Sequence, residues 1–270
     1  MNIAKTWFVR AMRSIIVALA VGSIALAAGT AFAQSQPPPN TPPGVDHYLV
    51  YRVLNPPTFV VPVLLTDQFL ERNYRTFTLD YFMIPVNKNF EGIIDTLTHY
   101  TWWRIDTHPF GALALISNQF QVEQPLNVGQ PQYLLNPALK NLPVPFPIPL
   151  KNHYKLYDVI GPPPGKIVTL QDQFQHLQAY VDTAKYLGNP VQKIFNGHVD
   201  QILDPIGHLV VYRINPLPPS TIIRPVLVQD EFGIWQLELD DVVYLCVPSY
   251  KTGFVGTDKS TWGHLKGMYR

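Results

Sequence analysis

The chain has 270 residues, of which 47% are hydrophobic, 14% are charged and 27 are proline. Proline interrupts helices, and it occurs here at about twice its ~5% average, so the composition excludes a protein built on long helices. The formal net charge of +1, with no basic run after the first 33 residues, makes nucleic acid an unexpected partner.

Residues 1–33 have the features of a secretory signal peptide. A basic segment, an apolar run and a small-x-small cleavage site follow one another: Lys5, Arg10 and Arg13, then Ile15 to Ala28, then Ala31-Phe32-Ala33. The apolar run is shorter than the ~20 residues that cross a bilayer, so we expect cleavage rather than a membrane anchor. Cleavage leaves 20 − 3 = 17 basic and 19 acidic residues. The predicted mature protein is soluble, has no membrane span, and is periplasmic or extracellular.

A polar, proline-rich leader, residues 34–46, precedes a frame that recurs four times. The frame begins with a histidine and an aromatic residue four positions later. It continues with Asp/Asn-Gln/Glu-Phe and ends with Tyr-x3-Pro-x2-Lys. We call the four stretches units 1 to 4: residues 47–88, 99–140, 153–193 and 208–251. The histidine lies 22, 21, 21 and 24 residues before the phenylalanine, and such self-similarity is typical of repeat architectures.

Each unit is predicted to form three strands, because short Val-, Ile-, Tyr- and Phe-rich runs with period-two alternation lie between turn residues. A unit of about 40 residues is too small to fold alone, so the units must share a core. Residues 141–150 have proline at alternate positions and favour a linker. We therefore predict an all-β fold with two six-stranded barrel or sandwich lobes, residues 47–140 and 151–251, followed by a tail, residues 252–270. The alternative is one closed ring of the four units.

Two sets of recurring polar residues are candidates for chemistry. The frame histidines invite a metal or catalytic interpretation, although a histidine at the end of a strand explains the same position: His47, His99, His153 and His208. The Asx residues of the triplet are predicted to cap turns through backbone N–H groups, with weak calcium binding as the alternative: Asp67, Asn118, Asp172 and Asp230. The phenylalanines that follow are predicted core residues: Phe69, Phe120, Phe174 and Phe232.

The remaining candidates are weaker. A loop group, His198, Asp200, Asp204 and His208, matches no metal spacing and is predicted to be solvated. The single cysteine, Cys246, lies in an apolar run and is predicted to be a buried, inert thiol. The sequence has no GxSxG, no glycine-rich phosphate loop and no HExxH, so we predict no catalytic residue, no metal and no cofactor.

The densest aromatic group, Tyr100, Trp102 and Trp103, is the candidate ligand-binding set. An exposed ring here would stack on a sugar or a peptide, whereas strand alternation buries at least one of the three. Core packing is the competing interpretation.

The frame resembles a family of exported bacterial repeat domains without an assigned function. The family unit is His-Tyr-x-Cys-Tyr-Lys, then Asp-Gln-Phe, then Leu-Cys-x-Pro-x-x-Lys, and the similarity covers residues 47–251. This sequence retains one of the eight cysteines. The resemblance implies that four pairs of positions are in contact between the first and third strands: Val50/Met83, Trp102/Leu135, Leu156/Gly188 and Val211/Cys246.

The sequence therefore predicts a non-catalytic, exported binding or structural module whose partners are envelope components, either protein or polysaccharide. Repetition multiplies a surface, whereas catalysis needs one asymmetric site. The alternatives are a carbohydrate-active enzyme of unrecognised type and a sugar-binding module that uses the aromatic residues of unit 2.

Overall fold

The computed structural model describes residue 42 and residues 44–143, 145–217 and 223–256. The predicted signal peptide, most of the predicted leader and the tail beyond residue 256 lie outside the described residues. The described chain contains strands and no helix, which confirms the all-β prediction, and thus no helix that is long and apolar enough to span a membrane.

The first strand of each unit has seven to ten residues, the second has five to seven, and the third has 15 to 24. The first strands are β1 (Tyr48–Leu54), β5 (His99–Ile105), β8 (His153–Ile160) and β12 (His208–Leu217). The second strands are β2 (Pro62–Thr66), β6 (Ala112–Ser117), β9 (Lys166–Gln171) and β13 (Arg224–Asp230). The third strands are β3 (Glu71–Pro85), β7 (Gln124–Lys140), β10 (His176–Phe195) and β14 (Gly233–Gly256). Two short strands complete the set, β4 (Asn87–Lys88) and β11 (His198–Asp200).

The first and third strands form a closed antiparallel ring in the order β1–β3–β5–β7–β8–β10–β12–β14, with β14 paired to β1. The preference for two lobes is therefore wrong, because β7 pairs with β8 across the supposed linker and β14 pairs with β1. The alternative of a single ring describes the sheet. The prolines of residues 141–150 prevent pairing of their own backbone only, so they do not separate the strands that flank them.

The second strands cross-link the ring. Each pairs on one edge with the first half of its own third strand. On the other edge, each pairs with the end of the stretch two units away: β2 with β10, β6 with β14, β9 with β4 and β13 with β7. The β6–β14 ladder extends to Gly256, so residues 252–256 continue a strand, whereas the sequence assigned them to the tail.

Two hydrophobic cores lie on the two faces of the ring. The inner core contains Trp102, whose ring contacts Tyr186 and Tyr244 on strands that are not adjacent to β5. The outer core lies between the ring and the second strands and includes Tyr51 and Phe69. Alternation along each ring strand assigns successive side chains to the two cores, which explains why these strands are apolar at every position.

The four pairs of positions implied by the family resemblance lie directly opposite each other in the inner core: Val50/Met83, Trp102/Leu135, Leu156/Gly188 and Val211/Cys246. The first and third strands are therefore in the register that the cysteine pattern implied. Cys246 is buried, with Sγ 3.5 Å from Met83 Sδ, and burial raises the pKa of its thiol well above the usual value. This is the environment of an unreactive thiol.

Candidate functional site

A tight turn follows each second strand and is closed by the Asx residue of the triplet. In every unit, its Oδ1 accepts hydrogen bonds from the backbone N–H groups two and three residues later, at 2.8–3.2 Å. The four residues are Asp67, Asn118, Asp172 and Asp230. The geometry is that of the backbone cap derived from the sequence.

The second polar atom of each Asx side chain contacts the frame aromatic of the unit two places away. Tyr157, Trp103 and Tyr51 donate to the second oxygen of an aspartate, and the Asn118 amide donates to Tyr212: Tyr157 to Asp67 (3.0 Å), Trp103 to Asp230 (2.7 Å), Tyr51 to Asp172 (2.5 Å) and Asn118 to Tyr212 (3.0 Å). Both oxygens of these aspartates therefore accept hydrogen bonds within the chain, as expected for turn caps rather than for calcium ligands.

Each frame histidine lies at the junction with the following unit, unit 4 being followed by unit 1. Three of them contact the triplet glutamine of that unit: His47 with Gln119, His99 with Gln173 and His208 with Gln68. At every junction the frame lysine lies over the triplet phenylalanine, with 4.4–6.0 Å between Nζ and the ring centre: Lys88/Phe120, Lys140/Phe174, Lys193/Phe232 and Lys251/Phe69. The recurring polar residues thus join units to one another.

The environment of the histidines keeps them neutral. Burial is the largest cause in each case. It lowers the pKa of His99 to about 4, and it lowers the pKa of His47, His153 and His208 well below 6.5. A nearby lysine adds to the effect, as Lys88 does for His47. An imidazole that stays neutral beside an ammonium group suits a structural contact better than acid–base chemistry at neutral pH.

The junction between units 3 and 4 differs from the other three. Glu231 replaces the triplet glutamine, and Asp200 joins the group from β11, so that His153, Asp200 and Glu231 present ligand-type atoms within 4.8 Å of one another. The ammonium of Lys193 lies 2.9 Å from Asp200 and contacts Glu231 and both nitrogens of His153. Burial lowers the Lys193 pKa to about 8, against the opposing effect of Asp200. The lysine therefore supplies the positive charge in this cluster.

The loop group from the sequence does not assemble. Asp200 belongs to the Lys193 cluster, Asp204 caps the N–H groups of Ile206 and Gly207, and His208 lies at the next junction. His198 is exposed and contacts only Asp200 of that group. The position of Asp200 could have been predicted from Asn196-Gly197, a pair typical of two-residue hairpin turns. Their φ values are 50° and 79°. That turn creates β11 and positions Asp200.

The aromatic candidates of unit 2 are buried. Trp102 and Trp103 have no exposed surface and Tyr100 is 4% exposed. Trp102 and Tyr100 pack in the inner core, and Trp103 donates to Asp230 from the outer core. Stacking of a sugar or a peptide on Trp102 or Trp103 is therefore corrected to core packing, and Tyr100 exposes only its edge to a small cavity of about 100 Å³.

A partly exposed site occurs instead at one end of the ring. The frame tyrosines Tyr81, Tyr133, Tyr186 and Tyr244 form a closed circuit of edge-to-face contacts, with 5.6–5.8 Å between ring centres. Burial is the main reason that the pKa of Tyr81 and that of Tyr244 rise to about 12, and the neighbouring tyrosine adds to each shift. We call this end of the ring the tyrosine mouth.

The charged residue five positions after each histidine lies opposite the tyrosine of its own unit: Arg52/Tyr81, Arg104/Tyr133, Asp158/Tyr186 and Arg213/Tyr244. Arg52 binds Asp240, and Arg104 binds Asp80 at 2.5 Å. Arg213 is exposed, and no carboxylate of the described residues lies within 4.0 Å of its guanidinium.

A cavity of about 530 Å³ opens beside Arg213, between β10, β12 and β14. Its polar walls come from Lys185, Asn215 and Asp241 in addition to Arg213, and Tyr186 and Tyr244 form its aromatic side. The cavity lies where the β10–β12 ladder changes register, between Ala184 and Tyr186. Such bulges re-aim side chains and are frequent beside functional sites.

Sequence reasoning treated these tyrosines only as frame positions and did not consider the arginines. Alternation does place Arg52 on the same strand face as Val50, but it does not say whether that face is the inside of a ring. The ring closure that brings four distant tyrosines together is a tertiary property.

The comparisons with known proteins add one match. A family model with the description "Repeat of unknown function (DUF7450)" matches residues 97–249. No curated protein and no solved structure matches the chain. The match supports the repeat character of the sequence, and its description names no ligand, compartment or activity.

Proposed function

The chain belongs to this family of repeats of unknown function, and from that premise we propose that it is an exported, non-catalytic binding module with its ligand surface at the tyrosine mouth. The observation that carries the proposal is that the recurring polar residues make contacts between units. The histidines, Asx residues and lysines of the frame contact other units, so the constant part of the repeat serves assembly.

The residues that differ between units supply the remaining asymmetry. At the tyrosine mouth the four equivalent positions hold arginine, arginine, aspartate and arginine, and only one of the arginines opens onto the cavity. A surface that combines partly buried aromatic rings, charges and a concavity is the usual form of a small-ligand site.

A non-catalytic role is supported by what the titratable groups contact. The histidine pKa values are lowered by burial, and the carboxylates beside His153 both bind Lys193. Acid–base catalysis needs a group with a suitable pKa within reach of a substrate, and these groups are occupied by internal contacts. The alternative based on the aromatic residues of unit 2 loses its basis because those rings are buried.

Export is supported by the sequence of residues 1–33 alone. The test expresses the whole chain with a C-terminal tag in a bacterial host and measures the N-terminus and compartment of the product. Protein that begins at residue 34 and is found outside the cytoplasm is the expected result. A cytoplasmic, unprocessed chain would contradict the export part of the proposal.

The binding part is tested with the purified protein on an array of glycans and peptides, followed by product analysis of every bound ligand. Retention of intact ligands is expected. Turnover of a bound ligand would contradict the non-catalytic role, and a folded protein that binds nothing on the array would contradict the binding role.

A further inference from the structure

We propose that the cavity between β10, β12 and β14 binds a carboxylate-bearing sugar, with Arg213 and Lys185 on the carboxylate. The ligand class is thus an acidic glycan. This inference deepens the proposed binding function and rests on it. It comes from comparing the four equivalent positions of the tyrosine mouth.

Within the part of the chain that the structure describes, Arg213 lacks the carboxylate partner that the equivalent arginine of unit 2 has. Arg104 of unit 2 faces Asp80, the residue before Tyr81 on the preceding third strand. The equivalent residue beside Arg213, directly before Tyr186, is Lys185. An acid–base pair at one position is therefore replaced by two bases at another, and both line the same cavity. Among the described residues, neither Arg213 nor Lys185 has a carboxylate within 4.0 Å, and two cations that line one cavity favour an anionic ligand there.

The one acidic group in the cavity is consistent with a sugar ligand. Asp241 lies 3.5 Å from Arg52 through Oδ2, and its Oδ1 is buried without a hydrogen-bond partner among the described residues. Its burial closes Oδ1 to a ligand, but the Asp241 side chain as a whole is 38% exposed, so a ligand hydroxyl can donate to the exposed part of this carboxylate. A ligand that carries both a carboxylate and hydroxyl groups satisfies Arg213, Lys185 and Asp241 together.

The size and walls of the cavity suit a ligand larger than a bare inorganic anion. About 530 Å³ falls in the ~300–1,000 Å³ range of small-molecule sites. Tyr186, Tyr244 and Pro216 provide apolar surface on which a pyranose ring can lie, and Asn215 adds an amide that can contact hydroxyl groups.

The test is calorimetric titration of the full folded protein with tetragalacturonate and with its methyl ester, at low and high salt. The ester keeps the rings and removes the charge. Binding of the acid, at least tenfold weaker binding of the ester, and loss of affinity at high salt are expected. Equal binding of acid and ester, or no binding of either, overturns the proposal.

Variants locate the site. Arg213→Gln and Lys185→Gln should each weaken binding of tetragalacturonate about tenfold, because each removes a charge-assisted hydrogen bond. Arg72→Gln is the matched control, since Arg72 is exposed on β3 outside the tyrosine mouth, and its affinity should be unchanged. Equal effects of Arg72→Gln and Arg213→Gln would mean that general charge, not this cavity, binds the ligand.

Further probes separate this inference from the proposed function. Sulfate should compete only at concentrations far above those of tetragalacturonate, and tight sulfate binding would overturn the sugar assignment. A glutamate-rich peptide that binds in place of the oligosaccharide would also overturn it, yet would leave a non-catalytic binding module intact. Shortening of bound tetragalacturonate would instead support the cavity and contradict the non-catalytic function.

Discussion

The hydroxyl of Tyr157 donates a hydrogen bond to Oδ2 of Asp67 at 3.0 Å, although 90 residues separate them. The bond joins the first strand of unit 3 to the turn of unit 1 inside the outer core. Equivalent contacts join the other diagonal units, so the turn chemistry of one stretch depends on the aromatic residue of another. Burial of both partners makes a missing donor costly.

We predict that Tyr157→Phe lowers the free energy of unfolding by about 1–3 kcal/mol, because Asp67 Oδ2 loses its hydroxyl donor without a gain in packing. Urea unfolding followed by circular dichroism measures the change. Tyr180→Phe is the control, since Tyr180 is 37% exposed, and it should change stability by less than about 0.5 kcal/mol. Equal values for the two variants would show that the diagonal bond is unimportant.

The register of the inner core predicts a disulfide. Val211 lies directly opposite Cys246 between β12 and β14. Val211→Cys should therefore form a bond with Cys246 under oxidising conditions and stabilise the protein by about 3–4 kcal/mol relative to the reduced form, as expected for a loop of this length. A thiol titration and paired thermal melts with and without reductant give the result.

The control for the disulfide is Val210→Cys. Val210 belongs to the outer core, whereas Cys246 belongs to the inner core, so both thiols should stay free. Two free thiols in the Val211→Cys protein after oxidation would mean that the register of β12 and β14 is not the one described.

The Lys193 cluster predicts that substitutions of Lys193 and Glu231 have strongly non-additive effects on the free energy of unfolding. Lys193→Met leaves Asp200 and Glu231 facing each other beside a neutral His153, and it should cost about 3–5 kcal/mol of stability. Glu231→Gln alone should cost less, because Asp200 still binds the ammonium group. In the Lys193→Met background, Glu231→Gln should be stabilising, because it removes one of two repelling carboxylates.

The readout for this cycle is the free energy of unfolding of all four proteins in the same buffer. A coupling energy near zero would show that Lys193 and Glu231 act independently. Repeating the measurements in 1 M salt separates buried from exposed charge effects, since a buried pair is screened much less.

The buried histidines predict loss of stability in mild acid. The folded-state pKa of His99 is about 4, and the unfolded value is about 6.5, so the unfolded state binds more protons between these values. The free energy of unfolding should fall as the pH falls from 6.5 to 4, by at most about 1.4 kcal/mol per pH unit for each such histidine. Asp172 and Asp230, whose pKa values are raised by burial, act in the opposite direction.

His99→Gln isolates the contribution of one histidine to the pH dependence of stability. The slope of unfolding free energy against pH should become shallower than in the parent protein, while His176→Gln, a change at an exposed residue, should leave it unaltered. The slope is compared rather than the absolute stability, because His99 also stacks on Phe82. An unchanged slope for His99→Gln would contradict the lowered pKa.

The sequence predicts local features of this fold well. The turn of Asp67 follows from the sequence, because a side-chain cap acts over a few residues. The contact of Val50 with Met83 was implied by the cysteine positions of the family that the frame resembles, and the register of β1 and β3 agrees with it. Whether Trp102 is buried or exposed does not follow from spacing. A strand that is apolar on both faces has the same pattern whether it separates two cores or presents one face to a ligand.

The candidate site was beyond local reasoning for a related reason. Tyr81, Tyr186 and Tyr244 are spread over more than 160 positions, and only ring closure brings them together. The same holds for Lys193, whose partners Asp200 and Glu231 come from a short hairpin and from the next unit. Closure of the sheet is decided by the sum of many strand pairings, and no single motif in the sequence encodes it.

The pairing of the second strands on both edges limits how many units such a ring can contain. β2 pairs with the end of unit 3, and β9 pairs with β4 at the end of unit 1. Each unit pairs with the unit two places further along the ring, and that unit pairs back with it. This is possible only when the ring has four units. A chain with one stretch deleted or duplicated would break this reciprocity and leave strand edges without counterparts. Linear repeat proteins can be lengthened by adding single repeats, but this ring cannot.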